Sequence, residues 1–282
     1  MPENPIFCDE CDSIMHIKVI GNNVMYQCKC GATKPLPDEL LKKYRSKKKK
    51  RKPIKVRGKR RESIFDSYDE EELPLYPNDL LLSIKNFDSN IKLQQKIEKG
   101  ENAEIKFRTK YPYRTNPSLI EDLTEADLYD IPANKYGLFF KQIDFDLKGK
   151  LGLNTQQLAK VAEHLEDFKE WLSQAVDDSL SLAEKLEFDW ERIPGMGGGH
   201  VLGKKIIYAF YEEALPIFNN QHLENFYEKF YGKTPHFFGM SESEQFEFLT
   251  FQMIKVKNNH SVMKDWSNVK FMYFLYNYYY PK

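Results

Sequence analysis

The four cysteines of this 282-residue chain stand in two close pairs, Cys8/Cys11 and Cys28/Cys30, within Phe7 to Gly31, FCDECDSIMHIKVIGNNVMYQCKCG. Four thiolates converging at about 2.3 Å on one ion make a tetrahedral zinc site, and such a site can organise a finger too small to bury a core. Cys8-x-x-Cys11 has ordinary knuckle spacing, whereas Cys28-x-Cys30 is one residue shorter, leaving His16 as the nearby substitute ligand. Two disulfides and four unrelated thiols are the competing readings. No signal-peptide pattern precedes the pairs and no cysteine follows them, so a reducing compartment is expected, with bound Zn2+ and a cytoplasmic location.

Charge supplies the second candidate chemistry. From Lys34 to Arg61 there are 15 Lys/Arg against two acids, Asp38 and Glu39, a local net of +13 inside an overall net of zero. The centre is Lys47, Lys48, Lys49, Lys50, Arg51 and Lys52, followed by Lys55, Arg57, Lys59, Arg60 and Arg61. Like charges side by side with few apolar residues cannot bury enough surface to order the segment, so it reads as a disordered tether. Such a run draws a nucleic-acid phosphate backbone by counterion release, without base preference. An idle basic linker, or a nuclear localisation segment in a eukaryotic source, fits the same residues. Glu62, Asp66, Asp69, Glu70, Glu71 and Glu72 follow and can screen the run when nucleic acid is absent.

The third stretch is Trp190 to Ile207, WERIPGMGGGHVLGKKII. A hydrophobic residue and proline, then Gly195-x-Gly197, then a helix start carrying Lys204 and Lys205, resembles the hairpin of a helix-hairpin-helix motif. The resemblance implies that backbone N–H groups of the glycine turn bind a DNA phosphate, with the two lysines adding charge. Without a Gly-Lys-Ser/Thr ending, the stretch does not fit a nucleotide-hydrolase phosphate loop. A glycine turn between two packed helices is the plainer alternative.

FCDEC, an intervening hairpin and YQCKCG together resemble the N-terminal zinc ribbon of the archaeal RNA polymerase subunit M and transcription factor S group. That resemblance, confined to the cysteine stretch, implies association with a polymerase or with nucleic acid. In transcript-cleavage factors a second ribbon presents an Asp-Glu pair on its tip. This chain has neither that ribbon nor acids at Gly21-Asn22-Asn23, which argues against transcript cleavage. The segment from Ala209 to Asn220, AFYEEALPIFNN, following the glycine turn, resembles helical modules that accompany some restriction and defence proteins.

These residues need elements to position them. Ile14 to Ile20 and Val24 to Tyr26 predict two strands around the Gly21-Asn22-Asn23 turn, which would place a cysteine pair at each end. Leu73 to Pro77 marks a boundary. From Asn78 the pattern is mainly helical: Asn78 or Asp79 caps a helix through Leu81, Ile84, Phe87, Ile91 and Leu93, and Asn154-Thr155 caps one helix to Val176. Ala103, Ile105 and Phe107 alternate as in a strand, whereas Leu138 to Leu147 reads as a second strand or an irregular apolar segment. Helical spacing returns at Leu223 to Tyr231, Phe246 to Val256 and Trp266 to Tyr276, with Tyr276 to Tyr280 expected to dock or to stack on bases. No apolar run approaches the roughly 20 residues that cross a bilayer.

The expected fold is therefore multi-part: a small β zinc ribbon at 1–36, a disordered basic linker at 37–77 and a mainly α domain at 78–282. No spacing typical of a catalytic centre stands out. His200, His222, His236 and His260 are scattered, and Glu242, Glu244 and Glu247 read as a solvated helix face. The favoured function is a non-catalytic, nucleic-acid-associated factor, with DNA or RNA as partner and a polymerase or other protein docking on the ribbon. The alternative is a subunit of a DNA-processing or defence enzyme.

Overall fold

The computed structural model describes residues 16–20, 23–28, 30, 32–35, 73–149, 151, 154–196 and 200–280. The chain divides into two compact units, Met1–Gly58 and Lys59–Lys282, the boundary falling inside the basic run. Among the described residues, no helix is long and apolar enough to cross a membrane.

In the first unit β1 (His16–Ile20), β2 (Asn23–Gln27) and β3 (Thr33–Pro35) form an antiparallel meander in the order β1-β2-β3. Ile20 pairs with Asn23, so Asn23, expected in the turn, is the first residue of β2. β3 is additional to the expected hairpin; it pairs Gln27 with Thr33 and Met25 with Pro35. Its proline stands on an edge strand, where a missing N–H does no harm.

The second unit is mainly helical. Its folded part takes in Tyr76, which the expected linker included. The Leu75 N–H donates to the Phe230 carbonyl at 2.5 Å and the Tyr76 hydroxyl to that of Val256 at 2.9 Å, so residues of the expected boundary are docked. Helix α1 (Leu80–Asp88) follows Asp79 and buries Leu80, Ile84 and Phe87. It stops at Ser89, and the Asn90 side chain accepts from the Leu93 N–H to start α2 (Ile91–Lys110). The single expected helix through Leu81 and Ile91 is thus two, and those two residues are exposed.

The strand expected at Ala103 to Thr109 is instead the last two turns of α2. Buried positions there are Ile97, Gly100, Glu104 and Phe107, spaced three and four apart, while Ile105 is 61% exposed. The alternation of apolar residues was coincidental, because β-propensity yields to packing over so long a helix. A 3-10 turn (Pro117–Ile120), helix α3 (Glu125–Leu128) and the two-residue pair β4 (Tyr129–Asp130) and β5 (Lys135–Tyr136) follow. The ambiguous apolar segment resolves into α4 (Leu138–Lys141) and a π-turn (Gln142–Asp146) that bury Phe139, Phe140 and Ile143.

The expected long helix breaks at His164 into α5 (Thr155–Glu163) and α6 (Leu165–Ala175), because His164 takes φ −113, ψ 40. Its predicted cap is present: Asn154 accepts from the Gln157 N–H at 2.8 Å, and Gln157 returns the bond. Then come α7 (Leu182–Leu186), α8 (Val201–Phe210), α9 (Asn220–Tyr231), α10 (Glu242–Asn258) and α11 (Asn268–Tyr278). Ser181 and Ser241 open α7 and α10 with reciprocal capping boxes, and Gly232 ends α9 in the left-handed region.

An aromatic chain ties the helices together. Phe107 stands 5.7 Å from Phe139 and 5.4 Å from Phe210 between ring centroids, and Phe139 continues through Phe168 to Trp171 and Trp190. Phe107→Ala removes a fully buried ring and leaves a cavity where α2, α4 and α8 meet. Stability is expected to fall by about 3–5 kcal/mol, read from urea denaturation of the full chain.

Candidate functional site

At the end of β2 the chain turns back through Cys28 and Cys30. The Cys28 N–H donates to the Ala32 carbonyl at 2.9 Å, closing a tight turn across the second cysteine pair, with Cys28 buried and Cys30 exposed. Cys8 and Cys11 lie outside the described residues, as do Lys47, Lys48, Lys49, Lys50, Arg51, Lys52, Arg57, Lys59, Arg60, Arg61 and Gly197. Among the described residues no group of three or more metal-ligating side chains comes together.

The glycine stretch does not present the charge that its pattern led us to expect. Lys204 and Lys205 are buried. The Lys204 ammonium donates to Asn220 Oδ1 at 3.0 Å and Glu242 Oε1 at 3.2 Å and lies 4.7 Å from the centre of the Phe246 ring. Lys205 reaches the Leu147 carbonyl at 3.4 Å, and burial holds its pKa down at about 8 against the pull of Asp144. Both lysines point inward because α8 is apolar on every side and is itself buried. Gly195 has φ +107, and a Cβ there would overlap the Gln157 carbonyl oxygen of α5, so the turn is pressed against a helix. His200 stacks on Trp190 at 4.9 Å and is held below its ordinary pKa by burial, so it adds no cation at neutral pH. The two lysines are therefore interior residues, not phosphate contacts.

One further expectation changes in the same way. Glu247 belongs to the interior, where it accepts from the Leu182 N–H at 2.9 Å. At the C-terminus His222 bridges the hydroxyls of Tyr276 and Tyr280, each at 2.9 Å, and Tyr279 is buried, so that end of α11 is docked.

The polar constellation that the sequence did not disclose lies where α2 meets α8. Glu104 is only 8% exposed. The Tyr208 hydroxyl donates to its Oε1, while Arg108 Nη2 donates to Oε2 at 3.2 Å and Arg108 Nε to the Ala209 carbonyl at 3.1 Å. Burial raises the Glu104 pKa from its ordinary 4.5 to about 7, with Arg108 opposing. Nearby, the Arg114 guanidinium lies 4.2 Å from the centre of the Tyr211 ring and pairs with Asp178 at 2.8 Å and Glu213 at 3.1 Å. Lys185 is 5.0 Å from the same ring and is held at about 8 by burial. Arg108, Arg114, Glu104, Glu212 and Glu213 border one groove of about 760 Å³. This arrangement can exchange a proton near neutral pH and offer guanidinium donors to an anion. A signal was present, since Glu104 and Arg108 are four apart and straddle Phe107, but it is visible only once the segment is read as a helix.

No protein-family model, curated protein or solved structure matches this chain.

Gly195→Ala forces a side chain into both a strained φ and the α5 backbone, and is expected to destabilise the second unit by about 1–3 kcal/mol in chemical denaturation. Glu104 gives a pH signature of defined sign. Its folded pKa of about 7 lies above 4.5, so the folded state retains a proton that the unfolded chain releases. Its contribution is complete below about 4.5 and is lost as pH rises to about 7, a fall of roughly 3 kcal/mol. Glu104→Gln should flatten this part of the stability profile. Lys185 and Lys205 act between about 8 and 10.5, where stability rises with pH, so their effect is separable.

Proposed function

We propose that this protein is a zinc-ribbon factor that associates with nucleic acid and has no catalytic role of its own in that association. The ribbon is organised by Zn2+ held on Cys8, Cys11, Cys28 and Cys30. The observation that carries this reading is the turn at the end of β2, where the Cys28 N–H to Ala32 carbonyl bond folds the chain back over the second pair. That bond sets the second cysteine pair at the end of the sheet, where two sulfurs two positions apart can face one ion. The zinc supplies the cross-link that a three-stranded meander of this size lacks, since its few apolar residues cannot stabilise it alone.

Phosphate affinity resides in the basic run from Lys34 to Arg61, whose net charge is +13. The inward course of Lys204 and Lys205 supports that assignment, because it withdraws the lysines of the glycine stretch from any backbone contact. In this arrangement the run concentrates the chain on DNA or RNA. The ribbon then offers a small rigid surface to a protein partner, in a transcription-related setting if the resemblance to polymerase-associated ribbons extends to role.

Reduced, full-length protein is expected to contain one zinc per chain by elemental analysis, and Cys28→Ser or chelation should abolish it together with the β-sheet amide dispersion of the first unit. A zinc-free protein with that dispersion intact would sink the metal reading. Binding to a duplex or single-stranded oligonucleotide should weaken about a thousandfold or more between 50 and 200 mM salt. Deleting Lys47 to Arg61 should remove both the affinity and the salt slope, and an unchanged slope would place the contacts elsewhere.

A further inference from the structure

The groove beside Glu104 is unevenly supplied with hydrogen-bond partners. Three of its acids are engaged: Glu104 accepts from Tyr208 and Arg108, Glu213 from both terminal nitrogens of Arg114, and Glu101 from the Ser267 hydroxyl. Two of its cations are engaged only in part. Among the described residues Arg108 Nη1 has only the Glu212 carboxylate, at 3.9 Å and beyond hydrogen-bond reach, and that Glu212 side chain is 82% exposed. Lys257, half-buried in the groove wall, donates among the described residues to one acceptor, the Trp266 carbonyl at 3.1 Å. An ammonium has three donors and a guanidinium five, so both groups keep donors unspent. Both residues line the groove, and an oxyanion with two or three oxygens is an acceptor that matches such charged donors.

We propose that this groove binds a small ligand whose carboxylate or phosphate oxyanion pairs with Arg108, which the Glu212 carboxylate approaches only loosely, with Lys257 on the wall of the same groove adding positive charge. Its volume of about 760 Å³ is that of a metabolite-sized site. A nucleic-acid strand is the wrong occupant. The whole chain has zero net charge and Lys34 to Arg61 carries +13, so the remaining residues together carry −13. That surplus, with Glu101, Glu212 and Glu213 at the groove itself, repels a polyanion but tolerates one locally paired oxyanion. The ribbon takes no part, so this site stands or falls separately from the zinc reading.

The test uses the full chain titrated separately with inorganic phosphate, acetate and glycine, followed by NMR and thermal shift up to about 20 mM, the range in which fragments of four or five heavy atoms bind. Saturable binding of phosphate alone identifies a phosphate ester as the ligand class, and binding of acetate or glycine identifies a carboxylate. Glu212→Gln removes a competing carboxylate from an exposed position and is expected to tighten binding several-fold. Lys257→Met keeps the stem packed and should weaken it about tenfold, the loss of one charged hydrogen bond. Removing zinc should leave these affinities unchanged. The proposal is overturned if none of the three probes binds, or if binding occurs but Glu212→Gln does not strengthen it and Lys257→Met does not weaken it.

Discussion

The contact of Phe107 with Phe210 and Phe139 is the joint on which the second unit depends. Phe107 is flanked on α2 by Glu104 and Arg108, one turn before it and one residue after, and Phe210 follows Tyr208 and Ala209 on α8. Once the two rings meet, helical geometry places the Glu104 carboxyl against the Tyr208 hydroxyl and the Arg108 guanidinium against the Ala209 carbonyl. The polar cluster is thus a by-product of apolar packing, which supplies the free energy needed to hold a carboxyl out of water. The raised proton affinity of Glu104 follows from that enforced burial.

The same trade recurs through the interior. Lys185, Lys204 and Lys205 are all buried on apolar helices, each with an aromatic ring or a backbone carbonyl near its ammonium. Their long methylene stems pack like any aliphatic chain, and the ammonium is compensated where it ends. Cations that a linear reading assigns to solvent or to phosphate are here part of the core. The two parts of the chain therefore divide the charge in opposite ways, one concentrating positive residues in a single run and the other carrying a negative surplus with selected lysines turned inward. Affinity for a polyanion and affinity for a small anion need not share a surface.

Local signals were read well where the structure satisfies them locally. The Asn154 cap, the stripe of Leu158, Val161, Phe168 and Leu172, and the periodic cores of α9, α10 and α11 follow from hydrogen bonds and spacings within a few residues. So does the pairing of β1 with β2, although Asn23, expected in the turn, belongs to β2. The failures share one cause. The break at His164, the helical state of Ala103 to Thr109 and the burial of Glu247 are set by what each segment packs against, and a neighbour tens of residues away leaves no mark on the local pattern.

The sequence by itself determined the distribution of charge, the pairing of the cysteines in two close sets and the helical character of the region after Pro77, because composition and short-range spacing are properties of the chain alone. Only the tertiary structure decided that Gly195 is clamped against α5, that Lys204 and Lys205 face inward, and that Glu104, Arg108, Tyr208 and Lys257 border or support one groove. Those residues stand far apart along the chain. Their meeting is fixed by which apolar faces find one another, and that is settled by three-dimensional shape complementarity, which no local window contains.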